Sequence, residues 1–285
     1  MKAVLTFKLE LVMEKPLTGA RVIRNVILKE SSTKLNLLAY FFSLPILYAL
    51  TPNLAAADED KTAWGIGAAA KLKDSAYLGY DRETRMLPFL YIENSWMQFA
   101  GSNFDLKLGE AKGIFFTLRA KFALGDGYED SDSYIFEGMN EREASIWVGP
   151  SFTWRNDIVD VSFEALTDSF SNSEGQQASL EFSKSFRLGQ RFNIEPSIGA
   201  TWFSDTYVDY YYGVEAAEAR VDRPEYAGEA SVALKAGLRV TYGWDQHQAI
   251  VFSANIESYD SEIKNSPLID KSTEGSVVLG YLYRF

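Results

Sequence analysis

From about residue 62 onward, the chain is written largely in segments of ten or so residues that alternate apolar and polar side chains. In "IVDVSFEAL", Val159, Val161, Phe163 and Ala165 alternate with Asp160, Ser162 and Glu164. "FNIEPSIGATW" sets Phe192, Ile194, Pro196, Ile198, Ala200 and Trp202 against Asn193, Glu195, Ser197, Gly199 and Thr201. "EASVALKAGLRVTY" and "IFFTLRAKF" repeat the pattern. A period of two puts successive side chains on opposite faces of a strand, which excludes an amphipathic helix for these segments. They exceed the five or six residues usual for globular strands and approach the nine to eleven that cross a bilayer.

Alternation alone fits either a soluble sandwich, apolar inward, or a transmembrane barrel, apolar outward. Connection lengths favour the barrel. Tight turns at Arg155–Asp157, Leu188–Arg191 and Trp244–His247 alternate with long polar segments at Gly125–Arg142, Asp168–Gly175, Ser204–Gly228 and Tyr259–Glu274. Short turns at one rim opposite long loops at the other is the outer-membrane arrangement. Aromatic residues gather where strands should leave the bilayer: Trp154, Tyr242, Trp244 and Phe285 at short-turn ends, Trp202 and Phe203 at a long-loop end. Trp147 falls on the polar parity and breaks this rule. Twelve strands are expected, with ten as the alternative count because the second to fourth are short: Thr62–Lys71, Leu87–Glu93, Ser95–Ala100, Phe104–Leu108, Gly113–Leu124, Glu143–Trp154, Asp157–Leu166, Gln177–Phe186, Arg191–Phe203, Glu229–Tyr242, Gln248–Glu257 and Gly275–Phe285. The last strand, "SVVLGYLYRF", is expected to close an all-β antiparallel barrel against the first, leaving no edge in lipid.

Upstream, Lys34 precedes the apolar run Leu35–Leu50, followed by "TPNLAAADED". The run is too short for a spanning helix and is interrupted by Pro45. A basic flank, an apolar stretch and Ala55 and Ala57 at −3 and −1 read as a signal peptide cut before Asp58. Residues 1–57 are therefore expected to be removed, and 58–285 to form the barrel. The cut takes away seven basic and three acidic residues and moves the formal charge from −11 to −15. So acidic a chain is not a nucleic-acid binder, since phosphate neutralisation needs excess Lys and Arg. There is no cysteine and one histidine, His247, in a short turn. Thiol chemistry is excluded, and no cofactor, metal centre or catalytic set is expected.

The parity expected to face the lumen carries Arg119, Lys121, Lys235 and Arg239 against Asp160, Glu164, Glu181, Glu195 and Glu257. An aqueous selective pore is one reading. The near balance of signs favours the other, an interior of ion pairs and hydrogen bonds. The loop Gly125–Arg142 reads as a solvated acidic loop, bridged loosely by divalent ions to lipopolysaccharide, because its acids miss the spacing of a calcium loop. The aromatic run Asp205–Val214 reads equally as an adhesive patch or as packing across the barrel mouth.

Four stretches together resemble the MipA/OmpV family, the MltA-interacting outer-membrane proteins: "AYLGYD" (Ala76–Asp81) with "LPFLYIE", "YYYGV" (Tyr210–Val214) with "EYAGEA", "NSPLI" (Asn265–Ile269), and the terminal "GYLYRF". Tyr211, Tyr212, Gly213, Val214, Ser266 and Pro267 are the family-motif residues within them, and it is the order and spacing of the stretches over about Ala76–Phe285 that carries the resemblance. Gly280, Tyr283 and Phe285 also resemble the terminal signal read by the barrel-assembly machinery, although Val278 stands where a polar residue is usual. The resemblance implies an outer-membrane barrel of a Gram-negative bacterium, not an enzyme. It further implies contact with lipid and lipopolysaccharide, and a scaffold joining a lytic murein transglycosylase to a murein synthase. A small-solute channel or a surface binding protein is the alternative.

Overall fold

The computed structural model describes residues 62–80, 82–123 and 127–285. The expected leader, its junction at Asp58, Asp81 and Leu124–Asp126 lie outside them. Thirteen β-segments form one antiparallel sheet: β1 (Ala63–Asp74), β2 (Glu83–Glu93), β3 (Met97–Ala100), β4 (Asn103–Ala111), β5 (Ile114–Phe122), β6 (Ile146–Trp154), β7 (Asp160–Asp168), β8 (Gln176–Ser183), β9 (Phe186–Leu188), β10 (Phe192–Phe203), β11 (Ser231–Gly243), β12 (Gln248–Tyr259) and β13 (Thr273–Arg284). Two short helices, α1 (Asp205–Tyr212) and α2 (Ser261–Lys264), lie in the last two long connections. Segments β8 and β9 both pair with β10 and are two pieces of one barrel strand, so the barrel has twelve strands. The break has a chemical cause. Pro196 of β10 accepts from Lys184 N–H (3.3 Å), so its missing donor faces the interruption at Lys184–Ser185.

The ring closes where the sequence places it. β13 pairs with β1 from Gly65↔Arg284 to Asp74↔Gly275, and β11 joins β10 on the other side of the ring. All twelve expected strands are present, the shortest being β3, which meets β2 only at Tyr91–Glu93. The outward parity is apolar and exposed, as at Ile66, Leu118, Ile198, Leu234 and Leu279. At the short-turn rim Trp64 stacks on Phe285 with ring centroids 3.9 Å apart, and Trp154 and Trp244 are exposed. At the other rim Trp202 and Phe170 are exposed.

The inward face differs from expectation on one side. Along β12, β13, β1 and β2 it is apolar: Val251, Val278, Leu282, Ala69, Leu87 and Phe89 are all buried against one another. Val278, out of place on a polar parity, is 1% exposed within this cluster. Inward side chains from adjacent strands touch each other there, so packing takes the place of solvation. The polar lumen lies mainly along the opposite wall, from β3 round to β11, and reaches onto β12 and β13 at Gln248 and Arg284.

Candidate functional site: a capped, charge-lined lumen

The long connections fold over one barrel mouth as a cap with two layers. In the lower layer α1 crosses the opening. Ser204 caps its N-terminus by accepting from Tyr207 N–H, and Asp205 sits in the first turn. Tyr207, Val208, Tyr211 and Tyr212, spaced three and four apart, are buried on one face. They pack on Trp147, Leu166, Phe203, Ala233 and Tyr259 from the inner wall and on Ile263 of α2. Trp147, which broke the aromatic rule, is therefore not a rim residue. Its ring is 5.4 Å from that of Tyr207 and holds the plug from below. The aromatic run Asp205–Val214 thus packs across the mouth, and the adhesive reading is not needed to explain it.

The stretches that carry the family resemblance meet at this point. Tyr77 OH donates to Tyr211 O (2.9 Å), Ser266 Oγ donates to Tyr212 O (2.6 Å), and Leu78 N–H donates to Leu268 O (2.8 Å). Gly213 follows α1, and a Cβ built on it would lie 2.2 Å from Asp209 O, so only glycine fits. Val214 bridges to Tyr226, and Pro267 lies between Ser266 and the fully buried Leu268. These residues form the cap.

The upper layer corrects the expectation of a solvated acidic loop. Tyr128, Ile135, Phe136 and Met139 are buried with Val214 and Leu268, while Glu129, Asp130, Asp132, Glu137 and Glu141 stay exposed. These acidic side chains of the loop meet water while its apolar ones pack into the cap, with Tyr134 the exposed exception. Arg142 ties the loop down, donating from Nε to Tyr210 O and from Nη2 to Glu218 (both 2.8 Å). Burial raises the Glu218 carboxyl, but hydrogen bonds from Asn140, Arg142 and Glu215 outweigh it and hold the group below the ordinary glutamate value. Like charges crowd the outer surface of this loop. Partial burial and neighbouring Glu129, Glu143 and Asp132 push Glu141 upward.

Below the cap lies a cavity of about 1150 Å³ that reaches the short-turn rim, where Gly189–Arg191 and Trp244–Gln246 line it. Arg119, Lys121, Asp160, Glu164, Glu181, Glu195, Lys235 and Arg239 all line it. Arg119 is bidentate to Asp105 (2.7 and 2.8 Å) and reaches Glu164 (2.8 Å). Arg239 pairs with Glu195 at 2.8 Å, and Lys235 with Glu257 at 3.5 Å. Arg119–Asp105, Arg239–Glu195 and Lys235–Glu257 join neighbouring strands, and Arg119–Glu164 spans β6 from β5 to β7, so the pairs lie along the wall. Sequence reasoning missed Asp105, which sits on the inward parity of a strand too short to count with assurance. It also left out four rim arginines: Arg155 and Arg191 in turns, where alternation gives no signal, and Arg187 and Arg284 in or at the end of strands, the latter already on the polar parity of the last strand.

His247 is exposed in the turn between β11 and β12, its Nδ1 3.0 Å from Arg284 O and its ring stacked on Tyr283. Gly280 faces Ala69, Tyr283 pairs with Ile66, and Phe285 covers Trp64, so the three terminal residues lie in the closing seam. Among the described residues, no group of three or more acidic or histidine side chains is placed to hold a metal ion.

A closed antiparallel barrel with an apolar exterior, aromatic rims, short turns at one end and long loops at the other is an outer-membrane β-barrel. The chain belongs to the MipA family, whose model, described as MltA-interacting protein MipA, matches residues 66–285. The MltA-interacting protein of Escherichia coli K12 is 24% identical over 256 residues, covering 89% of this chain and all of that one. Outer membrane protein OmpV of Vibrio cholerae is 22% identical over 161 residues, 56% of this chain and 62% of its own length. Among solved structures, an outer membrane channel from Pseudomonas putida F1 aligns with a TM-score of 0.39 at 10% identity, covering 81% of this chain and all of that one. The protein resides in the outer membrane, short turns toward the periplasm and cap toward the exterior.

Proposed function

We propose that this barrel is an envelope scaffold that positions murein-processing enzymes, a lytic transglycosylase and a murein synthase, at its periplasmic turns. The observation that carries the reading is the aromatic cap: a lumen that ends beneath buried α1 offers a solute no straight path, so the working surfaces are the two ends. The family relationship and the name of the E. coli relative, MltA-interacting protein, supply the partner class. In this reading the apolar belt meets outer-membrane lipid, the acidic cap meets lipopolysaccharide, and the Gly280–Tyr283–Phe285 end is read by the barrel-assembly machinery. A photo-crosslinking residue at Asn156 or Gln190, in short turns, should capture a transglycosylase in intact envelopes, whereas one at Glu215, in the cap, should not. Equal capture from both ends, or none from the turns, would overturn the scaffold.

A further inference from the structure

Among the described residues α1 packs across the outer mouth and the cavity lining reaches the short-turn rim, so the cavity is approached from the periplasmic end. Its charge runs against that of the chain. The whole protein is at −11, and its five long connections hold nineteen acidic residues against six basic ones. The cavity lining has eight basic residues and six acidic. Four of the basic ones, Arg155, Arg187, Arg191 and Arg284, stand at the rim. Arg155 is held over the Phe115 ring at 4.7 Å, so part of this rim is already ordered.

Deeper in, not every polar group is used by the fold. The Glu181 carboxylate is exposed to the lumen and, among the described residues, takes no ion pair and no hydrogen bond, although Arg239 and Lys235 lie within its electrostatic reach. Asn103 Oδ1 and Thr241 Oγ1, which are buried, belong to residues lining the cavity and have no partner among the described residues. A buried acceptor or hydroxyl without a partner carries a desolvation cost, which an occupant or water removes.

We propose that the lumen is a binding site, entered from the periplasmic end, for a short peptide bearing two or more carboxylates and one ammonium group. The carboxylates seat at the arginine rim, where guanidinium forks suit them, and the ammonium group reaches Glu181. A simple anion would meet six carboxylates along the lining, Asp245 at the rim and five beyond it, and a simple cation would have to pass four arginines; mixed charge with an acidic excess answers both. The volume lies just above the roughly 300–1,000 Å³ of ordinary ligand pockets, which admits more than a single amino acid. The site needs no enzyme partner and stands whether or not the scaffold reading does.

The test is calorimetric titration of the full chain, folded in detergent micelles, with three peptides: Glu-Ala-Glu with a free amino terminus, its N-acetylated form, and Lys-Ala-Lys. Glu-Ala-Glu is expected to bind and to weaken with added salt, its acetylated form to bind several-fold more weakly, and Lys-Ala-Lys not to bind. Arg155→Gln with Arg187→Gln should weaken Glu-Ala-Glu by about a hundredfold, as expected for two lost charged hydrogen bonds at about tenfold each. Glu181→Gln should abolish the difference between the free and acetylated peptides. Circular dichroism and melting temperature report that each variant keeps the barrel. Absence of Glu-Ala-Glu binding to the wild type, equal binding of Lys-Ala-Lys, or folded variants that bind as the wild type does would each overturn the proposal.

Discussion

Replacing Tyr211 by alanine tests whether the cap is a seal. The ring is 2% exposed and packs against Tyr207 and Tyr210 at centroid distances of 4.8 and 4.9 Å. Truncating a buried aromatic residue to alanine costs about 3–5 kcal/mol. The Tyr211 hydroxyl also donates to Glu143 O at 3.2 Å, but Glu143 is exposed and water replaces that bond, so its loss adds at most about 1 kcal/mol. None of this touches the strand ladders, so the loss falls on the cap and appears as local opening above an intact barrel. In planar bilayers the wild type should be silent. Tyr211→Ala should show brief conductance steps while its gel mobility still reports a folded barrel. Hydrogen exchange should show faster exchange in the cap amides and little change in β10 and β11. Steady wild-type conductance would refute the seal. So would a folded Tyr211→Ala barrel that stays silent with its cap amides as protected as before.

Two further outcomes come from the same geometry and a third from the sequence. Arginine at outward Leu234 should lower folding stability in lipid vesicles by about 2–4 kcal/mol if the site lies near mid-membrane, and arginine at inward Ser162, on the wet wall, by much less; equal costs would contradict the assigned faces. Because the Glu218 carboxyl is held below its ordinary value of 4.5, its stabilisation of the cap is complete above that value and disappears as pH falls through the lowered one. Hydrogen-exchange protection across residues 127–142 should drop in that acid window, and Glu218→Gln should reduce it already at neutral pH and remove the acid step; an unchanged acid step in the variant would assign it elsewhere. N-terminal sequencing of outer-membrane material should read from Asp58 or within a residue or two, and a start at Met1 or Met13 would contradict the cleavage reading.

Strand number, order and lipid-facing parity were legible in the sequence because alternation is a local property: each side chain's face follows from its neighbours two positions away. Turn lengths then set which end is which, and the lumen-facing charges followed from parity in the longer strands. Asp105 was lost because β4 was read as a short, blurred strand with too little pattern around it. Arg155 and Arg191 were lost because they lie in turns, where no period exists, while Arg187 and Arg284 lie in strands and only closure of the ring places them beside the other two. A helical signal was present at Tyr207, Val208, Tyr211 and Tyr212, but eight residues of it inside a long connection were outweighed by the loop around them.

Period two says that two faces differ, and it does not say what each face meets. Whether an inward residue touches water or another side chain depends on positions far apart in the chain. Val278 meets Leu87 and Ala69 only because β13 closes on β1, and Trp147 meets Tyr207 only because a connection that starts at Ser204 folds back into the mouth. The sequence by itself determined a membrane-spanning barrel and its orientation, since lipid selects on local pattern. The tertiary structure alone decided that one inner wall is dry, that the outer end is capped, and that the remaining charged space faces the periplasm. Those outcomes come from packing among side chains that ring closure and loop folding bring together, and no local period encodes them.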